Sequence, residues 1–221
     1  MVQLLSTEQM AEFANSGCLF FDGLIDNETN KEFLNDIGHT DIENVDNMQK
    51  YFQNIKASSS IPRIPAGTPL KNAYPHKSPL EKIFQNEVVA GAINSLVGSE
   101  AVVDHQFLHL TFPTKYFKKT NQRQMSQVNH QDSTIDPRIT FDIQLFYFPT
   151  DVTKEMGGTR YHPGTHLRIV NEMGIAKYQN IKGQKNIVCR AGTIGIFHNG
   201  LWHGAGVNFS DEIRYMFKVR L

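Results

Sequence analysis

Cysteine is scarce: Cys18 and Cys189 are the two in 221 residues. Too few and too far apart for a disulfide framework or a thiolate zinc site, they fit a reducing, cytoplasmic compartment. An excess of charge of either sign is also lacking, since 22 lysines and arginines balance 22 aspartates and glutamates. The chain therefore has no global field to draw in nucleic acid or an anionic membrane. No apolar run reaches membrane-spanning length, and the N-terminus reads as an amphipathic helix rather than a charged stretch leading into an apolar signal core. Export and membrane insertion are not expected. What remains is a length ordinary for one all-β barrel or jelly roll with helical additions, sufficient to bury a substantial core over residues 1–221.

Local signals divide the chain into a helical lead-in and a strand-rich remainder. Ser6 with Gln9 three residues on is a capping-box pattern for a first helix that Gly17 can stop, and residues 18–25 read as a strand. Asp26-Asn27 starts a second helix through about Ile37, with Gly38 as its stop. The next forty residues or so are irregular and rich in Asn, Ser and Pro, either a plain surface loop or a cover over an active site. A helical patch follows over about 79–97. Strand-like runs then recur at 101–112, 125–130, 141–148, 158–162, 186–190, 194–198 and 213–221. Helices to about residue 100, then strands in series, predict a mainly β fold with flanking α-helices: a double-stranded β-helix, or cupin-like jelly roll, with its core from about 101.

His130-Gln131-Asp132 carries the strongest chemical signal. Side chains at i and i+2 of an extended strand project to the same side, so this pair can share one metal. The candidate third ligand is His203, within Gly200-Leu201-Trp202-His203-Gly204-Ala205-Gly206, where glycines let the backbone pass close to a bound group. Two imidazoles and one carboxylate hold Fe(II) on one face and leave positions open for a chelating keto acid and dioxygen. Such a site keeps one net positive charge and suits a dianionic chelator whose far carboxylate needs a partner. Arg214 offers one, because guanidinium pairs bidentately with carboxylate and stays charged.

These residues, with Glu155-Met156-Gly157-Gly158-Thr159, Pro163-Gly164-Thr165-His166 and Ala191-Gly192-Thr193, resemble the phytanoyl-CoA dioxygenase family of Fe(II)/2-oxoglutarate oxygenases. The similarity covers most of the chain, including its opening from Leu5 through Phe20. It implies that His130, Asp132 and His203 bind iron and that Arg214, eleven residues after His203, binds the far carboxylate of 2-oxoglutarate. The implied reaction is hydroxylation, or a related oxidation, of a small-molecule substrate, consuming dioxygen and releasing succinate and carbon dioxide. The family places co-substrate contacts on the strand matching 141–148, which makes Gln144 a secondary candidate; an ordinary buried amide is the alternative. Two departures stand out. Ala205 replaces a serine whose hydroxyl helps hold 2-oxoglutarate in many members, and the presence of Asp132 argues against the related halogenases.

Other readings stay beside this one. Along 213–221, Arg214, Met216, Lys218 and Arg220 share one face and Ile213, Tyr215, Phe217, Val219 and Leu221 the other; alternation alone leaves open whether the Arg214 face meets solvent. His105 and His109 have no carboxylate to complete a metal set and read as core or surface histidines, while His162, His166 and His198 flank turn signals. Lys115, Lys118, Lys119 and Arg123 read as a solvated loop, with reception of an anionic substrate as the alternative. A non-catalytic jelly-roll binding protein would not need the metal ligands, and a cupin-like metalloenzyme without a keto acid would not need Arg214.

Overall fold

The structure, a computed structural model, describes residues 2–56, 61–119, 126–132, 141–178 and 180–221. The helices are α1 (Thr7–Ser16), α2 (Asn27–Asp36), α3 (Met48–Lys56), α4 (Pro79–Gln85), α5 (Glu87–Val97), α6 (Thr114–Lys119) and α7 (Glu172–Ala176). The strands are β1 (Cys18–Phe21), β2 (Thr68–Pro69), β3 (Val102–Val103), β4 (His105–Thr111), β5 (Gln127–His130), β6 (Ile143–Phe148), β7 (Thr159–Tyr161), β8 (Lys185–Asn186), β9 (Thr193–His198), β10 (His203–Ala205) and β11 (Arg214–Arg220). Antiparallel pairing builds a five-stranded sheet in the order β1-β9-β6-β11-β4 and a four-stranded sheet in the order β5-β10-β7-β8. A short β2-β3 pair stands apart.

Capping chemistry sets the helix ends. In α1, the Ser6 hydroxyl accepts from the Gln9 amide while the Gln9 side chain accepts from the Ser6 amide, and Gly17 closes the helix at φ 76°, where a side chain would be strained. In α2, the Asp26 carboxylate accepts from the Thr29 amide at 2.8 Å. The sequence-predicted helix over 79–97 is two helices, because Asn86 leaves helical geometry and caps α5 by accepting from the amides of Val88 and Val89. Likewise the run over 101–112 breaks at Asp104 into β3 and β4, and regular pairing in 186–190 stops at Asn186.

The forty-residue irregular segment contains a helix that its polar composition hides. Met48, Tyr51, Phe52 and Ile55 recur at helical spacing in α3 and place one face inward. The Tyr51 hydroxyl lies 2.6 Å from that of Tyr215, which also meets His39 Nδ1 at 3.0 Å, and the Met48 amide donates to the Tyr116 hydroxyl. These bonds fasten α3 to β11 and α6.

Both faces of the larger sheet are covered. Tyr215, Phe217 and Val219 of β11, with Ile143, Leu145 and Tyr147 of β6, are fully buried in the main apolar cluster with Phe33, Leu80 and Ile83 of the helices. Burying each such side chain contributes roughly 1.5–3 kcal/mol, which anchors the helical layer to this face. The opposite face carries a second cluster that includes Phe146, Phe148, Phe197 and Met216 together with Tyr161 of the smaller sheet. Arg214 and Lys218 share that inner face, so the alternation along β11 separates a helix-covered side from a side enclosed by the second sheet, not a core from solvent. Among the described residues, no helix is long and apolar enough to cross a membrane.

Candidate active site

Pairing between β5 and β10 brings together candidate ligands that lie far apart in the sequence, His130 and His203. His203 and His130 are register partners with ring centroids 4.3 Å apart. Such close pairing needs a glycine beside His203, since a Cβ on Gly204 would sit 2.8 Å from the Gln127 carbonyl oxygen and 2.9 Å from that of Val128. Within the glycine-rich segment, His203–Ala205 form the short central strand β10. Asp132, just past β5, places Oδ1 3.0 Å from His130 Nε2 and 3.7 Å from His203 Nε2. Among the described residues, these three form the one group of His, Cys, Asp or Glu suited to hold a metal, with ligand atoms all within 4.8 Å of one another. Ser133, Thr134, Asp136 and Pro137, in which turn chemistry is expected to end the metal strand, and Arg123 of the basic cluster lie outside the described residues.

Each histidine is oriented from behind. His130 Nδ1 lies 2.9 Å from the Val128 carbonyl and His203 Nδ1 2.9 Å from the Leu201 carbonyl. A carbonyl only accepts, so both rings carry the proton on Nδ1 and turn Nε2 toward the shared centre, as metal ligation requires. Burial pushes the His203 imidazole down to about 4 and keeps it neutral. Burial also lowers His130, but its bonds to Asp132 and the Val128 carbonyl more than offset this and raise it. For Asp132, burial works against ionisation, yet the His130 hydrogen bond, His203 and Lys218 together hold the carboxyl well below the usual range.

Three further residues complete the site. Lys218 Nζ donates to Asp132 Oδ2 at 2.6 Å, which steadies the carboxylate and leaves Oδ1 facing the histidines. Arg214 is 2 % exposed and donates through Nη2 to Thr111 Oγ1 at 2.8 Å, while its Nε and Nη1 are buried without partners among the described residues. Burial lowers the guanidinium to about 10, still cationic at neutral pH. Unpaired buried guanidinium donors are costly, and a carboxylate on the Nη1–Nη2 edge can accept from Nη1 and from the second Nη2 proton at once. His109, register partner of Met216, has its imidazole pushed down to about 4 by burial first and by the Lys218 and Arg214 charges next.

A cavity of about 610 Å³ connects these groups, reaching His130, His203, Arg214, Thr111, His109 and Lys218. Met48, Gln49, Phe52 and Gln53 of α3 form part of its wall, so the segment read as either loop or cover does line the site. Gln144 shares the inner face but is not among the lining residues; it is 1 % exposed, with Oε1 unpartnered, and Phe146 lines the cavity instead. Arg220 lies opposite Gln144 in register and pairs with Asp142, occupying that end of the face. His105 pairs with Asp104 near the surface, and His162, His166 and His198 lie away from the cavity walls. Thr111, His109 and Lys218 were given no role by sequence reasoning. Lys218 had a signal, sharing strand parity with Arg214; Thr111 becomes visible only through the β4–β11 register.

Two imidazoles and a carboxylate with open space on one side, next to a buried guanidinium lacking a carboxylate, define a non-haem iron site with a place for a keto acid. The profile of the phytanoyl-CoA dioxygenase family matches residues 13–216, and the chain belongs to this family of Fe(II)- and 2-oxoglutarate-dependent oxygenases. No curated protein sequence matches the chain. Solved structures do. The apo form of ThoJ, a non-heme monooxygenase, is 18 % identical with TM-score 0.66, covering 95 % of this chain and 75 % of ThoJ. SnoK, a non-heme alpha-ketoglutarate-dependent carbocyclase from nogalamycin biosynthesis, is 18 % identical with TM-score 0.61, covering 98 % and 83 %. HygX from Streptomyces hygroscopicus, with nickel and 2-oxoglutarate bound, is 13 % identical with TM-score 0.65, covering 98 % and 86 %. At these identities the likeness is one of fold.

Proposed function

We propose that residues 1–221 form a single oxygenase domain, with the two facing sheets as a double-stranded β-helix, that hydroxylates a small organic substrate. In this reading His130, Asp132 and His203 hold Fe(II), and Arg214 with Thr111 holds the far carboxylate of 2-oxoglutarate. The observation that carries it is the pairing of the three-ligand cluster with a buried guanidinium whose Nε and Nη1 lack partners, in one cavity. Bound iron would activate dioxygen, the oxidant, with the keto acid as co-reductant, so that one oxygen atom leaves in succinate beside carbon dioxide and the other goes to the substrate. The chain's own residues do the rest. Val128 and Leu201 carbonyls aim the imidazoles, Lys218 holds the outer oxygen of Asp132, and Phe112, Phe146 and Met216 make the wall that limits water. Thr111 takes over for the hydroxyl that Ala205 lacks: its oxygen accepts from Arg214, leaving its own proton free for the co-substrate carboxylate. Gln144 is left out of the co-substrate set. With Asp132 in place as a ligand no position is left for halide, which favours hydroxylation over halogenation. Unpaired Cys18 and Cys189 suit work in a reducing cytoplasm.

The test is anaerobic titration with Fe(II), then succinate release. One site per chain is expected, and alanine at His130, Asp132 or His203 should weaken it severely while the far-ultraviolet dichroism stays that of the wild type. Unchanged Fe(II) affinity in all three folded variants, or failure to form succinate with any substrate while metal binds, defeats the reading.

A further inference from the structure

On the inner face, β11 presents Arg214, Met216 and Lys218 in turn, and β4 answers with Thr111, His109 and Phe107. Lys218 is 8 % exposed and lines the cavity. An ammonium has three protons to donate, and one is directed to Asp132 Oδ2. His109, diagonally across the strand pair from Lys218, has a buried Nε2 with no partner among the described residues. Among the described residues lining the cavity, Arg214 and Lys218 are the lysine and arginine side chains and none is an aspartate or glutamate; the Asp132 carboxylate that Lys218 touches lies just behind this wall.

Charge balance then constrains what enters. Building on the metal and co-substrate reading above, Fe(II) and dianionic 2-oxoglutarate cancel, and Asp132 offsets one of the two basic side chains. One positive charge is left over among these groups in a partly open cavity, where a partly desolvated charge favours an anionic partner. We propose that the oxidised substrate is a monoanionic carboxylic acid whose carboxylate is received by Lys218 and His109, with an apolar or aromatic body against Phe52, Phe112 and Phe117. The rest of the lining fits such a body: Met48 and the three phenylalanines are apolar, and Gln49, Gln53 and Gln127 add neutral amides. A polyanionic substrate would find no further lysine or arginine among the described lining residues.

The experiment uses protein loaded with Co(II) and 2-oxoglutarate, which binds without turnover, and isothermal titration with matched acid and amide pairs: benzoate against benzamide, phenylacetate against phenylacetamide. Loading is read first from the cobalt absorption bands. At least one acid should bind about tenfold or more tightly than its amide, the worth of a charge-assisted hydrogen bond. In Lys218→Met the preference should vanish, in Lys218→Arg it should persist, and His109→Leu should weaken the acid several-fold while leaving the amide unchanged. Absence of acid preference in every wild-type pair, including absence of binding, overturns the proposal, as does a preference undiminished in a Lys218→Met protein that still loads cobalt. Should Lys218→Met fail to load, the wild-type pairs and His109→Leu decide. Failure of the wild type to take up cobalt and 2-oxoglutarate overturns the functional reading itself, and this inference with it; normal uptake without acid preference overturns this inference alone.

Discussion

Arg214 is costly to keep without a ligand, because two of its buried donors meet no acceptor among the described residues. That cost makes it the sharpest point at which to test the co-substrate site. Truncating one partner of a desolvated, charge-assisted pair costs on the order of 2–5 kcal/mol, so Arg214→Ala should raise the 2-oxoglutarate requirement roughly thirtyfold to several thousandfold. Fe(II) affinity should barely move, since the guanidinium contacts none of the ligands. Lysine at 214 should restore only part of the loss, keeping the charge without the planar fork. Thr111→Val removes the hydroxyl proposed to replace the family's serine and should cost about 1 kcal/mol, a several-fold rise in the same titration. Ala205→Ser in the Thr111→Val background should recover part of it. The measurement is succinate release against 2-oxoglutarate concentration; equal requirements in the wild type, Arg214→Ala and Thr111→Val would remove both residues from the co-substrate site.

Among the elements, β10 bears the greatest constraint, because three residues must lie between β5 and β7 while delivering His203 to His130. The backbone clearance at Gly204 predicts that Gly204→Ala forces β10 away from β5, with a stability loss of about 1–3 kcal/mol from overpacking and a weaker metal site from the shifted imidazole. Urea unfolding and anaerobic Fe(II) titration of that variant check both; wild-type midpoint and affinity would show that the strand yields freely. Element by element, sequence patterns revealed what local chemistry dictates: the Ser6 and Asp26 caps, the Gly17 stop, the strand-like runs of β6 and β9 and the alternation along β11. They concealed what depends on partners. β10 has too few residues for a pattern and exists because two strands flank it, and α3 has its apolar residues diluted by Gln, Lys and Asn.

For the whole molecule, legibility of the site follows the same division between local and long-range information. His130 and Asp132 are visible from spacing within one strand, and His203 and Arg214 from motif and family spacing, whereas Thr111, His109 and Lys218 acquire meaning only once β4 lies beside β11. The site also joins the two sheets, and this gives a molecule-wide prediction. In the proposed site, metal ligation would tie β5 to β10 within the smaller sheet, while 2-oxoglutarate held at Arg214 on β11 and Thr111 on β4 would link that sheet to the larger one. Ligands that bind only the folded state stabilise it by mass action, about 2.7 kcal/mol at one hundred times the dissociation constant. For a chain of this length each kcal/mol moves the melting temperature by roughly 2–4 °C, so saturation should raise it by about 5–10 °C. Ni(II) alone should give part of the shift and Ni(II) with 2-oxoglutarate the rest. In Arg214→Ala the metal increment should survive and the co-substrate increment shrink to near nothing, whereas His203→Ala should lose both. Scanning calorimetry of the three proteins, each with no ligand, metal, and metal plus keto acid, separates the contributions. Equal co-substrate shifts in the wild type and Arg214→Ala would mean that 2-oxoglutarate does not bridge the sheets through this arginine.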